Sequence, residues 1–233
     1  MGPGVEVLQS GGCARPLTFG YRPWVTHMAA APILEVDPVH PQPRVVDRAA
    51  KVLEDGGLLA YPTDTYYGLG CDLFSRKAID RLYGVKNRDR KKPLAFLCPD
   101  LSDVAKYAKV SNFAYRTMRQ LTPGPFTFVL EATRLVPDMM QSKQKQVGIR
   151  VPQAPLMLAI AARLGRPIVT TSATDMEGES LIDARAIKEE LGNRLDLILD
   201  GGVQNVEAST VVSLIGDEIE VLRQGKGILV MDE

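Results

Sequence analysis

Two hydrophobic periods alternate along this chain, and that alternation limits its fold more than any other feature. Short runs rich in β-branched and aromatic residues occur at 58–61, 94–98, 126–130, 147–151, 168–171, 195–199, 210–214 and 219–222. Between several of them lie stretches with apolar residues three or four apart, which predict helices at Arg76–Val85, Asn112–Leu121, Pro155–Leu164 and 183–191. A further helix is expected from Pro43, with Val45, Val46, Ala49, Val52 and Leu53 on one face and Gly56-Gly57 as its stop. Strands interleaved with helices predict an α/β fold. The last two runs follow each other across Gly216-Asp217, a hairpin signal, so the sheet is expected to be mixed rather than purely parallel.

At 233 residues and 45% hydrophobic the chain can bury a sizeable core, and its length fits one domain. Residues 1–33 are expected to lie outside it, as a disordered extension or the product of a misassigned start with Met28 as a second candidate, and 34–233 to form the domain. The segment before Met28 is rich in Gly and Pro and has no sustained period, and it lacks the Ser- and Arg-rich amphipathic pattern of a transit peptide. The 28 basic and 28 acidic residues cancel, so any attraction to an anion must come from a local cluster. Cys13, Cys71 and Cys98 are widely spaced with no CxxC pair, which fits neither a zinc site nor a disulfide framework and points to a reducing, cytoplasmic setting. No apolar run approaches the roughly 18 residues of a membrane span.

Several segments carry chemistry. Tyr61-Pro-Thr-Asp-Thr-Tyr-Tyr-Gly-Leu-Gly70 reads as a strand end followed by hydroxyls, aromatics and glycines, a place where α/β proteins put ligands; the plain alternative is a turn capped by its own threonines. The run from Lys86 through Arg88 and Arg90 to Lys92 sets five cations against one carboxylate, suited to a polyphosphate, to an RNA backbone, or simply to solvent. Arg150, flanked by Ile149 and Val151, should project from one sheet face, where its charge needs an anion or an internal carboxylate such as Asp64. Thr122-Pro-Gly-Pro-Phe-Thr127, Thr170-Thr-Ser-Ala-Thr174, Ser209-Thr210 and Arg223-Gln-Gly225 pair strands with hydroxyls, glycine or a guanidinium. His27 and His40 precede the folded segment, leaving no Ser-His-Asp or Cys-His arrangement, and no dinucleotide or P-loop motif occurs.

In this order, over about Leu34 to Gly225, the segments resemble the YrdC-like family, which includes the threonylcarbamoyl-AMP synthases of transfer RNA modification. The motifs are YPTDTxYGLG, KxR leading to KPL, PGPxT, RxP, the Ser-Ala of SxN, Ser-Thr and RxG. The resemblance implies a single-domain twisted mixed sheet with flanking helices around a large cationic cavity. It implies an ATP-binding nucleotidyltransferase that condenses L-threonine, bicarbonate and ATP and releases pyrophosphate. Thr65, Arg150, Ser172 and Ser209 would hold threonine. Lys86, Arg88, Lys92, Gly148, Thr174, Ser180 and Arg223 would surround ATP, with Lys86 and Arg88 acting electrostatically and no residue as nucleophile or base. Mg2+ is expected on the triphosphate, and transfer RNA or double-stranded RNA and tRNA-modification proteins are candidate partners. Thr174 in place of Asn, Leu97 in place of a histidine, and the 196–202 run DLILDGG are similar to the YciO branch. The alternative this leaves is a non-catalytic nucleotide- or RNA-binding protein.

Overall fold

A computed structural model describes residues 30–86, 94–204 and 207–230. In chain order these form β1 (Ile33–Glu35), α1 (Pro43–Glu54), β2 (Leu59–Tyr61), β3 (Gly68–Asp72), α2 (Arg76–Val85), β4 (Ala95–Leu97), α3 (Val104–Tyr107), β5 (Ala108–Lys109), α4 (Asn112–Leu121), β6 (Phe126–Ala132), β7 (Gln146–Arg150), α5 (Pro155–Leu164), β8 (Ile168–Ser172), α6 (Ala184–Leu191), β9 (Leu197–Asp200), β10 (Thr210–Ser213) and β11 (Glu220–Arg223). One twisted sheet runs β1-β9-β2-β3-β8-β4-β7-β6-β10-β11, with β5 added to the far end of β6. Parallel pairs such as β4–β7 and β6–β10 alternate with antiparallel ones such as β3–β8 and β6–β7, so the sheet is mixed as expected.

Local chemistry sets the helix ends. Ser75 and Ser111 accept hydrogen bonds from the backbone of Ala78 and Ala114 at the starts of α2 and α4, and Asp183 accepts from Arg185 and Ala186 at the start of α6. Each such cap contributes about 1 kcal/mol. Pro43 opens α1 with a ring that needs no hydrogen-bond acceptor, and Gly165 closes α5 in the left-handed region at φ 70°.

Three strands are absent from the sequence reading. β1 and β5 are too short to show a period, and β3 is Gly-Leu-Gly-Cys-Asp, where two glycines mask a fully buried strand. Those glycines do not open the backbone to a ligand. A Cβ on Gly68 would lie 2.6 Å from the Tyr61 ring, and one on Gly70 3.0 Å from it, so the residues make room for a tyrosine of the neighbouring strand. The packed part of the chain also reaches back before residue 34: β1 begins at Ile33, and Ala31 is buried and donates to the Gly192 carbonyl at 2.9 Å. His40 follows β1 rather than preceding the fold, and is exposed beside Asp37.

Both faces of the sheet are used, in different ways. On one, Phe126, Phe128, Leu130, Val147, Ile149, Phe96, Val169, Cys71, Ile198 and Val212 join residues of α2, α4 and α6 in a continuous core. On the other, α1 and α5 cover Leu59, Tyr61, Leu97, Ile168, Leu197 and Leu199. That second cover stops partway along the sheet. Beyond Ile168, the same face of β8 continues as Thr170 and Ser172, which line an open cavity instead.

Candidate functional site

The cavity is about 450 Å³ and is lined by residues of six strands, β4, β6, β7, β8, β10 and β11, and of their connections. Its floor is a row fixed by register: Val129 of β6 faces Gly148 of β7, which faces Ala95 of β4, which faces Thr170 of β8. Small side chains in the middle of this row give the cavity its depth. A Cβ on Gly148 would meet the Ala95 Cβ at 3.3 Å and the Thr127 Cγ2 at 3.5 Å, so glycine keeps both neighbours close without strain. Ser209 and Val211 form one wall beside Thr127, and Leu222 and Arg223 of the exposed strand β11 form the rim. Among the described residues the lining carries two arginines and no carboxylate. An anionic ligand of this size is favoured over a cationic one.

Arg150 answers the question its position raised. Its side chain and that of Asp64 are 12% and 8% exposed, and its Nη2 donates to the Asp64 carboxylate. The same nitrogen donates to Thr65 Oγ1 at 2.7 Å, and the other Asp64 oxygen accepts from the Gln153 backbone at 2.9 Å. Charge pairing and the cavity wall are therefore both satisfied: Arg150 is held by a carboxylate from behind while lining the site. Its buried Nε has no hydrogen-bond partner among the described residues. Thr65, almost fully buried, belongs to the site through Arg150 rather than through direct exposure.

Arg223 is held differently. Its Nη2 donates to the Ser209 carbonyl at 2.8 Å and to Ser209 Oγ at 3.3 Å, and it is paired with no carboxylate among the described residues. Ser209 Oγ also lies 2.9 Å from Thr127 Oγ1. Arg223, Ser209 and Thr127 thus form a chain of polar groups along one wall.

Lys86, Thr174 and Ser180 make a second cluster beyond the end of β8. Thr174 pairs with Ser180 in an antiparallel bridge, and the Lys86 ammonium donates to Thr174 Oγ1. Ser172, two residues earlier, lies on the cavity wall. Arg88 and Lys92 lie outside the described residues.

Of the aromatics in the 61–70 segment, Tyr67 does not face a ligand: it is fully buried, and its hydroxyl bonds the Gly202 carbonyl and the Gly201 backbone nitrogen at 2.9 and 3.1 Å. Burial pushes that phenol up to about 12. Ser142, Gln144, Gln146 and Leu222 line the cavity but were not singled out, and Thr127 was named only as the last residue of the PGPxT turn. For Thr127 and Gln146 a signal existed, because each alternates along its strand with the buried residues Phe126, Phe128, Val147 and Ile149. Among the described residues no group of three or more His, Cys, Asp or Glu could hold a metal ion. No helix among them is long and apolar enough to cross a membrane.

Residues 51–225 match a family model described as telomere recombination, which covers Sua5, YciO and YrdC proteins. The Escherichia coli protein YciO, itself uncharacterised, is 35% identical over 82% of this chain and 94% of its own length. Its crystal structure superposes with a TM-score of 0.81, covering 85% of this chain and 97% of that one. A threonylcarbamoyl-AMP synthase of Chromobacterium violaceum is 34% identical over 75% of this chain and 91% of its own. Sua5 of P. abyssi, solved in complex with L-threonine, superposes with a TM-score of 0.78 at 28% identity, over 84% of this chain and 58% of that one. With that extent of matched sequence and a shared fold, the chain belongs to the Sua5/YciO/YrdC family.

Proposed function

We propose that this protein is an L-threonylcarbamoyladenylate synthase, acting on L-threonine, bicarbonate and ATP in the service of transfer RNA modification. The observation that carries the reading is the convergence of Gly148, Arg150, Ser172, Ser209 and Arg223 on one cavity whose described lining holds no carboxylate. A relative that binds L-threonine and relatives named as synthases support the same assignment.

The chemistry asks for placement and charge neutralisation rather than a nucleophile from the protein. A C–N bond forms between the threonine amine and the bicarbonate carbon, with loss of water. A carbamate oxygen then bonds to the α-phosphorus of ATP while the bridging bond to the β-phosphate breaks, and pyrophosphate leaves. Arg150 and Thr65, with Ser172 and Ser209, hold the amino acid. Arg223, Lys86, Thr174 and Ser180, with Arg88, Lys92 and the backbone near Gly148, hold the nucleotide and offset the charge on the departing pyrophosphate. Magnesium would enter on the triphosphate. The free, buried thiols of Cys71 and Cys98 suit a reducing compartment such as the cytoplasm.

A second reading, a YciO-like nucleotide or RNA binder without turnover, is favoured by Thr174, whose single hydroxyl already accepts from Lys86. One assay separates them: pyrophosphate release measured with threonine and bicarbonate omitted in turn. The synthase requires both. Release independent of threonine, or saturable RNA binding with no turnover, would overturn the first reading.

A further inference from the structure

The segment after β11 is pinned to the sheet by its own backbone. Gly225 donates to Thr210 Oγ1 at 3.0 Å, Thr210 Oγ1 donates to the Gly227 carbonyl at 2.7 Å, and the Lys226 nitrogen donates to the Ala208 carbonyl at 2.8 Å. Gly225 is required there, because a Cβ would sit 2.3 Å from the Ala208 carbonyl oxygen. With its backbone so fixed, the half-buried Lys226 sends its ammonium away from its own hairpin to the 62–66 loop, where it donates to the Asp64 carbonyl at 2.6 Å.

Asp64 is thereby gripped on two sides. Its carboxylate takes Arg150 and the Gln153 backbone, and its carbonyl takes Lys226. Within the loop, the Thr63 hydroxyl donates to the Tyr66 carbonyl at 2.6 Å and accepts from the Thr65 backbone at 3.1 Å, which shapes the turn, and beyond it the hydroxyl meets only the Arg150 guanidinium, at 3.4 Å. The anchors to other parts of the chain include Arg150, Gln153 and Lys226. Arg150 is the group being aimed, so Lys226 and the Gln153 backbone are the fixed points against which it is aimed.

We propose that Lys226 is a positioning residue for the amino-acid end of the cavity: by holding the Asp64 carbonyl it fixes the carboxylate that orients Arg150 toward the substrate. Lys226 lines no part of the cavity and acts through Asp64. The inference rests on the synthase reading for its substrate, and on geometry alone for the clasp. A charge-assisted hydrogen bond of this kind carries more weight than a neutral one, and the side chain is exposed enough that losing it should leave the fold intact.

The test uses the full chain with Lys226→Met, which keeps length and removes charge, and Lys226→Arg, which restores a donor. Pyrophosphate release is followed against L-threonine and against ATP, and amide hydrogen exchange is followed over residues 62–67. Lys226→Met should raise the KM for threonine about tenfold, leaving kcat and the KM for ATP within about twofold, and should speed exchange in the loop. Lys226→Arg should recover both. Unchanged exchange overturns the proposal, as does faster exchange with an unchanged threonine KM, or equal impairment of the two variants. If the wild-type protein shows no threonine-dependent release, the synthase reading fails instead, and exchange in the two variants still decides whether the clasp exists.

Discussion

Phe128 and Thr127 are neighbours on β6, yet they belong to different problems. Phe128 is fully buried in the core under α2, α4 and α6, whereas Thr127 stands on the opposite face with its hydroxyl against Ser209 in the cavity. The same division runs along β7, where Val147 and Ile149 seal the core while Gly148 and Arg150 line the site. Period-two geometry lets one strand hold the fold together with one set of residues and present chemistry with the other. Such a face stays open only because α1 and α5 end their cover at Ile168.

This division is open to a direct challenge. Phe128→Ala should cost about 3–5 kcal/mol of stability, read from chemical denaturation, while Thr127→Ala should shift the midpoint by very little and reduce threonine-dependent turnover. Comparable destabilisation by both would end the distinction between faces. Arg150 is where the distinction is expected to blur, since it is a cavity residue with a buried partner. Arg150→Met leaves Asp64 buried without its cation and should cost about 3 kcal/mol, and adding Asp64→Leu should recover much of that loss. A denaturation curve unchanged by Arg150→Met would mean that water solvates Asp64 and the pair is an ordinary surface contact.

Arg223→Ala sharpens the comparison from the other side. The guanidinium is at an exposed rim and contacts backbone, so the melting temperature should hardly move, while pyrophosphate release should fall about a hundredfold if the charge meets the leaving group. A variant that melts early but turns over normally would reassign Arg223 to holding Ser209 in place. The smallest effect is expected at Thr174. An amide there would offer a second donor while still accepting from Lys86, so Thr174→Asn should tighten ATP binding about fivefold, the worth of roughly one neutral hydrogen bond. Titration under equal magnesium checks it, and equal or weaker binding would argue that this end of the site has been rebuilt around threonine.

The helices were legible from sequence because their signals are local. α2, α4 and α5 fall on the predicted residues, each with a small N-cap, a proline start or a glycine stop beside a clear three-to-four spacing. β3 was not, because its glycines are explained by Tyr61 and Ile168 on the strands to either side, contacts that no linear pattern records. For the site, sequence named Gly148, Arg150, Ser172, Ser209 and Arg223, which share one cavity, and placed Asp64 as the alternative partner of Arg150. The two roles of Arg150 were treated as rivals, whereas the fold pairs it with Asp64 and still leaves it on the cavity lining. Gln144 and Leu222 escaped notice because an uncharged glutamine in a loop and a leucine in an edge strand look like nothing until the sheet brings them to the same rim.

The place of β10 beside β6 also bears on how the chain is made. Residues Phe126–Val129 find their partners at Thr210–Ser213, about eighty residues later in the sequence. At the usual pace of about 5–20 residues per second, the ribosome leaves that edge of β6 without its neighbour for roughly 4–16 seconds. An apolar strand edge exposed for so long is an invitation to pair with another nascent chain, so newly made protein should depend on chaperones most sharply in this interval. The cavity is completed late for the same reason, as the wall carrying Ser209 and Arg223 arrives only after the rest of the sheet has been translated.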